Sequence, residues 1–211
     1  MRNKDNITRK KIISSTSLIG LIIAVWCCQL IAVPTALKNK PINTLNIPGL
    51  NTKVLRLATT AYHNAKSKGI GSKELLTIVD YSLPSTEKRL WVIDMSKNKV
   101  IYNTHVAHGV SSGENYATRF SNKHGSKMSS LGLFLTGDIY KGNYGDSLNL
   151  HGLENKFNSN AFARRIVVHQ ANYVDEWIIK KSGRLGRSFG CLALNKKVNV
   201  VHKGCVYIRL K

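Results

Sequence analysis

Arg165-Ile166-Val167-Val168-His169 and, after a polar connection, Gly186-Arg187-Ser188-Phe189-Gly190-Cys191-Leu192-Ala193-Leu194 are the two runs around which this chain can be read. Ile166, Val167 and Val168 branch at Cβ, which suits a pleated, buried strand, so His169 arrives where that strand ends. Cys191 follows a glycine in a Ser-x-Gly-Cys turn, where backbone N–H groups can converge with no Cβ in the way. A free thiol has a pKa of ~8.5, and an imidazole beside it can take its proton and leave a thiolate. His169 is therefore a candidate base and Cys191 a candidate nucleophile, with the N–H groups of Gly190 and Cys191 as candidate oxyanion donors. Taken singly, a cysteine is as often a small buried hydrophobe and a histidine an ordinary satisfied side chain.

Outward from this stretch the periodicity is mostly that of strands. Leu90–Met95, a Ser96-Lys97-Asn98-Lys99 turn and Val100–Val106 read as a hairpin. Leu131–Tyr140, Ser147–His151, Arg165–His169, Cys191–Leu194 and Cys205–Leu210 supply further short strands. Gly, Asn and Ser loops between them predict a mainly β sandwich or barrel, α+β overall once short N-terminal helices are added. Residues 52–68 form the clearest helix, with Leu55, Ala58, Tyr62 and Ala65 at helical spacing and Gly69 as its stop. A second short helix is expected from about Ser72, carrying Leu75, Leu76 and Val79 before Pro84. The polar stretch from Gly109 to Ser130 is long for a loop inside a compact domain, which marks it as functional.

The 211 residues carry 32 Lys and Arg against 11 Asp and Glu, a formal net charge of +21. Residues 1–11 are basic and residues 12–33 largely apolar, with Pro34-Thr35-Ala36 as a small-residue end. This is the pattern of a signal peptide or of a signal anchor retained in the membrane through residues 12–33. Without residues 1–36 the balance is 27 basic to 10 acidic residues, still +17. Export directs that charge to the anionic polymers of a cell envelope, the periplasm included, and away from nucleic acid, for which no aromatic-interleaved basic stripe exists. The expected organisation is a leader at 1–36, a linker at 37–51, a helical segment at 52–84 packed on the core, and a catalytic domain at 85–211.

Further stretches carry a resemblance: Gly109-Val110-Ser111-Ser112-Gly113, Ala117-Thr118-Arg119-Phe120-Ser121-Asn122, Ser129-Ser130-Leu131-Gly132, Thr136-Gly137, Ser147-Leu148-Asn149-Leu150-His151-Gly152-Leu153-Glu154 and Gly186-Arg187-Ser188. Together with His169 and the Ser-x-Gly-Cys turn, the chain from about residue 90 to 210 resembles the murein L,D-transpeptidase catalytic-domain (YkuD-like) family. The resemblance implies a β-sandwich-like transpeptidase core and a cysteine acyltransferase of peptidoglycan. Cys191 would form a thioester with a tetrapeptide stem and pass it to an acceptor amine, with no cofactor. It also implies that the backbone carbonyl of Gln170 orients His169. His151 sits before a glycine, as the base does in the commoner motif; His169 is preferred because it lies nearer Cys191. Arg187 and Ser188 would hold either a substrate carboxylate or the turn itself. Phe189 stands where the commoner pattern has histidine, and Leu192-Ala193-Leu194 lacks the polar residue often found after the cysteine.

Rival readings rest on particular residues. Cys191 and Cys205 could be joined as a disulfide in an exported protein. Ser85-x-x-Lys88, Ser147-x-Asn149 and Lys181-Ser182-Gly183 follow the order of penicillin-binding serine enzymes. His151, His169 and Cys191 could hold zinc, although no His-Glu-x-x-His spacing occurs and no metal is expected. Hydrolysis by an L,D-carboxypeptidase would use the same site, and a basic wall-binding module would use none.

Overall fold

The computed structural model describes residues 46–143, 145–198 and 205–210; the leader, and the linker up to residue 45, lie outside them. The first element is helix α1 (Thr52–Ser67). Asn51 caps it, its side chain accepting from the Lys53 N–H at 2.8 Å and satisfying one of the orphan donors of the first turn. The stripe of Leu55, Ala58, Tyr62 and Ala65 is buried, as its spacing predicts.

Eight strands follow: β1 (Leu75–Asp80), β2 (Leu90–Asp94), β3 (Lys99–Thr104), β4 (Gly132–Gly142), β5 (Gly145–Gly152), β6 (Val167–Gln170), β7 (Leu192–Leu194) and β8 (Val206–Leu210), with helix α2 (Glu176–Ser182) between β6 and β7. They make one hydrogen-bonded ladder in the order β3-β2-β1-β8-β4-β5-β6-β7. The β1–β8 and β6–β7 pairs are parallel and the others antiparallel. A bulge in β4 between Thr136 and Ile139 sharpens the local twist. Beyond β3 the chain returns to the far end of the ladder, where Ala107 bridges Ala193 of β7 through an N–H···O bond of 3.0 Å. Both ends of the ladder thus share one interior. Leu90 and Val92 of β2 lie in the same buried cluster as Leu148 and Leu150 of β5, Val168 of β6 and Leu192 of β7. The mainly β, α+β class expected from the sequence is the class observed.

The expected helix after Ser72 is instead strand β1. It runs mid-ladder between β2 and β8 and is buried on both faces. Leu76 and Ile78 meet α1 together with Trp91 and Ile93, while Val79 enters the inner cluster. A strand covered on both sides has no polar alternation, and its apolar run imitates a buried helix. Helix α2 lay in what the sequence offered only as a polar connection. It has no buried residue, so it leaves no apolar stripe. Its signals are the caps: Asp175 accepts from the Trp177 N–H, and Gly183 closes the helix with φ +72°.

Candidate active site

Strands β6 and β7 position the two candidate side chains, His169 and Cys191. Their register pairs Val168 with Leu192 and His169 with Ala193. Val168 and Leu192 face the inner core, so alternation turns His169 and Ala193 to the other side, and Cys191, one residue before β7, falls on that same side. His169 is 7% exposed. Its Nδ1 lies 2.8 Å from Gln170 O, and because a carbonyl only accepts, Nδ1 carries the ring proton and Nε2 the lone pair. Burial moves the His169 pKa below the ordinary histidine value, and the Gln170 bond partly opposes it. The ring is neutral at pH 7, as a base must be. The Cys191 thiol is partly exposed and donates to Arg165 O at 3.6 Å.

The turn before Cys191 is held by Ser188. Its hydroxyl donates to Cys191 O at 2.8 Å and accepts from the Gly190 N–H at 3.1 Å. That bond corrects one expectation, because the Gly190 N–H is committed to the turn and not directed outward at an oxyanion. Gly190 itself is required: its φ is +117°, and a Cβ would come within 2.7 Å of Met128 O. Arg187 is likewise engaged within the protein, donating to Gly113 O at 3.0 Å and pairing with Glu114 at 2.6 Å. Ser188 and Arg187 therefore hold the turn and its neighbouring loop.

The loop from 109 to 130 contains one 3-10 turn, Val110–Ser112, and is fastened by both backbone and side-chain hydrogen bonds. The Ser112 hydroxyl accepts from the Ser129 N–H, and the Ser129 hydroxyl from the Gly109 N–H. Arg164 reaches across to Ser121 O (2.6 Å), Ser130 Oγ (2.7 Å), Ser126 Oγ (3.1 Å) and Met128 O (2.7 Å). Asn122 accepts twice from Asn160, its Oδ1 from the backbone N–H and its carbonyl from the side-chain amide. At the loop's root, buried Arg89 donates to Val106 O, Leu83 O and His108 Nδ1. Of these, Gly109, Ser112, Ser121, Asn122, Ser129 and Ser130 are motif residues of the sequence, and their work here is architectural.

Two clefts meet at Arg165, whose carbonyl accepts from Cys191 Sγ. One of about 320 Å³ is lined by His124, Lys127, Arg164, Arg165 and Phe189. The other, of about 460 Å³, is lined by Tyr140, Asn149, Phe162 and again Arg165. Phe189 is 70% exposed, with the Lys127 ammonium 5.0 Å from its ring centroid. His151 stacks on Phe162 at 4.7 Å and lines a separate hollow beside Gly137 and Asp138. It is thus placed on β5 and lines neither of the two clefts that Arg165 lines.

The rivals fare poorly. Cys191 and Cys205 are both free thiols, and three strands separate β7 from β8 in the ladder. Ser85 is buried, its hydroxyl donating to Asn115 and accepting from the Leu185 N–H, while Lys88 is exposed. Among the described residues no three His, Cys, Asp or Glu side chains gather as a metal ion would need.

The family profile described as L,D-transpeptidase catalytic domain matches residues 46–203. The chain belongs to the L,D-transpeptidase catalytic-domain family. No curated protein matches it. Among solved structures it is similar to a helical cell shape determining protein, Pgp2 of Campylobacter jejuni, at 13% identity and a TM-score of 0.42 over 67% of this chain and 48% of that one. It is also similar to an L,D-transpeptidase of Mycobacterium tuberculosis, at 14% identity and a TM-score of 0.35 over 65% of this chain and 58% of that one. The chain thus matches about half the length of each.

The L,D-transpeptidase profile takes in α1 and strands β1 to β7. The sequence reading passed over several residues of this L,D-transpeptidase domain's candidate site: Arg164, Arg165, Phe162, Lys127 and the Arg89–His108 pair. In the sequence Arg164-Arg165 is one of several adjacent basic pairs, with Lys88-Arg89, Lys180-Lys181 and Lys196-Lys197. The signal that separates them is the chain direction: Arg165 has φ +54°, which sends adjacent side chains to different places.

Proposed function

We propose that this protein is a peptidoglycan L,D-transpeptidase whose nucleophile is Cys191 and whose base is His169. The observation that carries the reading is the His169 tautomer. With Nδ1–H tied to Gln170 O, a neutral imidazole keeps its lone pair on Nε2, on the side of the sheet where the register puts Cys191. His169 Nε2 takes the Sγ proton, and the thiolate attacks the carbonyl carbon of the last peptide bond of a tetrapeptide stem. The C–S bond forms, the C–N bond breaks, and the imidazolium proton leaves with the terminal amino acid. An acceptor amine then attacks the thioester, giving its proton to His169 and restoring the thiol. The Cys191 N–H lies in the turn where the oxyanion would form. The positive surface supports a place in the cell envelope, reached through residues 1–36 as signal peptide or anchor, among peptidoglycan and anionic polymers.

The test is turnover of a disaccharide tetrapeptide by the full-length chain, followed by mass spectrometry. The expected products are the released terminal amino acid and a cross-linked dimer, both absent with Cys191→Ala. Turnover that survives in Cys191→Ala would refute the assignment.

A further inference from the structure

We propose that Arg165 is the docking point for the free C-terminal carboxylate of the acyl-donor peptide, and so determines that the donor must end where it does. The inference rests on acyl transfer at Cys191. Three observations lead to it. First, Arg165 joins the two clefts, lining both, and neither cleft has a carboxylate among its lining residues. His124, Lys127, Arg164 and Arg165 crowd one side of the turn, an arrangement that repels itself unless an anion enters. Second, the two arginines have different duties. The Arg164 guanidinium is spent on Ser121, Ser126, Met128 and Ser130. The Arg165 side chain is exposed and makes no hydrogen bond or ion pair among the described residues. Third, Arg165 is fixed relative to the nucleophile through its own backbone. It takes the left-handed conformation, φ +54°, uncommon without glycine, and its carbonyl accepts from Cys191 Sγ at 3.6 Å.

A one-residue leaving group puts its carboxylate about one Cα–Cα step, ~3.8 Å, beyond the carbonyl under attack. A planar guanidinium on a residue whose backbone carbonyl lies 3.6 Å from the sulfur can receive that carboxylate through two parallel N–H···O bonds. A stem extended past this residue, or one capped as an amide, loses the charge that the arginine answers.

The test uses full-length protein and two independent readouts. Alkylation of Cys191 by iodoacetate and by iodoacetamide, followed by peptide mass spectrometry, compares an anionic with a neutral reagent at the same sulfur and needs no peptide turnover. The second readout is kcat/KM for a tetrapeptide donor with a free carboxylate against its C-terminal amide. Arg165→Asn tolerates the left-handed backbone, and Arg165→Lys keeps the charge without the fork. The iodoacetate-to-iodoacetamide rate ratio should fall about tenfold in Arg165→Asn and less in Arg165→Lys. The wild-type preference for acid over amide, about tenfold or more, should vanish in Arg165→Asn. A rate ratio unchanged in Arg165→Asn overturns the anion site and leaves acyl transfer untouched. Failure of wild type to turn over either peptide, alongside a ratio that does fall, overturns acyl transfer and with it the peptide as ligand.

Discussion

Replacing His108 with glutamine should remove most of the acid sensitivity of folding between pH 6.5 and about 4. His108 is fully buried at the root of the 109–130 loop. Arg89 donates to its Nδ1 at 2.7 Å, so the ring proton sits on Nε2 and goes to Gly113 O at 3.2 Å. Burial, then the Arg89 charge, push its pKa from 6.5 to about 4; the Gly113 bond pulls the other way, and Arg187 and Arg184 add small downward pushes. The folded pKa of this base is depressed, so the unfolded chain takes up its proton first as pH falls. The stabilisation is complete above 6.5, declines as pH drops, and is gone at about 4. A shift of that size corresponds to about 3 kcal/mol. Glutamine can accept from Arg89 and donate to Gly113, so the variant should fold, at a neutral-pH cost of about 1–2 kcal/mol for imperfect fit. Urea unfolding of both proteins at about pH 7 and about pH 4 measures the difference. The wild type should lose about 3 kcal/mol more than His108→Gln across that interval. Equal losses in the two proteins would refute the reasoning.

Other outcomes follow from single contacts. Gly190→Ala puts a methyl 2.7 Å from Met128 O at φ +117°, so it should cost roughly 2–4 kcal/mol in chemical unfolding and slow Cys191 alkylation. Arg164→Met removes four loop bonds and should lower stability by roughly 3 kcal/mol, with hydrogen exchange accelerated across 121–130. Cys205 is buried, and burial pushes its thiol up to about 11, so iodoacetamide at mildly alkaline pH should label Cys191 and leave Cys205 unmodified until the protein unfolds. Because burial lowers the His169 pKa, the acidic limb of kcat/KM should fall below pH 6.5; a limb above it would contradict the neutral-imidazole geometry.

The sequence exposes those features that are written in side-chain pattern. Helix α1 was legible because its apolar stripe and its glycine stop agree. The strands of the β2–β3 hairpin were legible because turn residues bracket them. β1 was misread because burial by α1 on one side and the inner core on the other erases alternation. α2 was missed because it buries nothing. At the site, the turn before Cys191 and the strand that delivers His169 were legible from residue type and order. The fate of the Gly190 N–H was not, since it depends on which rotamer Ser188 adopts. Nor could a basic pair disclose that Arg164 is fastened to a loop while Arg165 faces solvent, because that division comes from one backbone angle.

The central claim is that Cys191 is an accessible, activated nucleophile. Intact-mass analysis of the reduced full-length chain after incubation with a carbapenem tests it most directly, since ring opening leaves the drug on the sulfur that attacked. The account predicts one drug-sized adduct on the wild type and none on Cys191→Ala. An unmodified wild type, or an adduct that persists in Cys191→Ala, would contradict it.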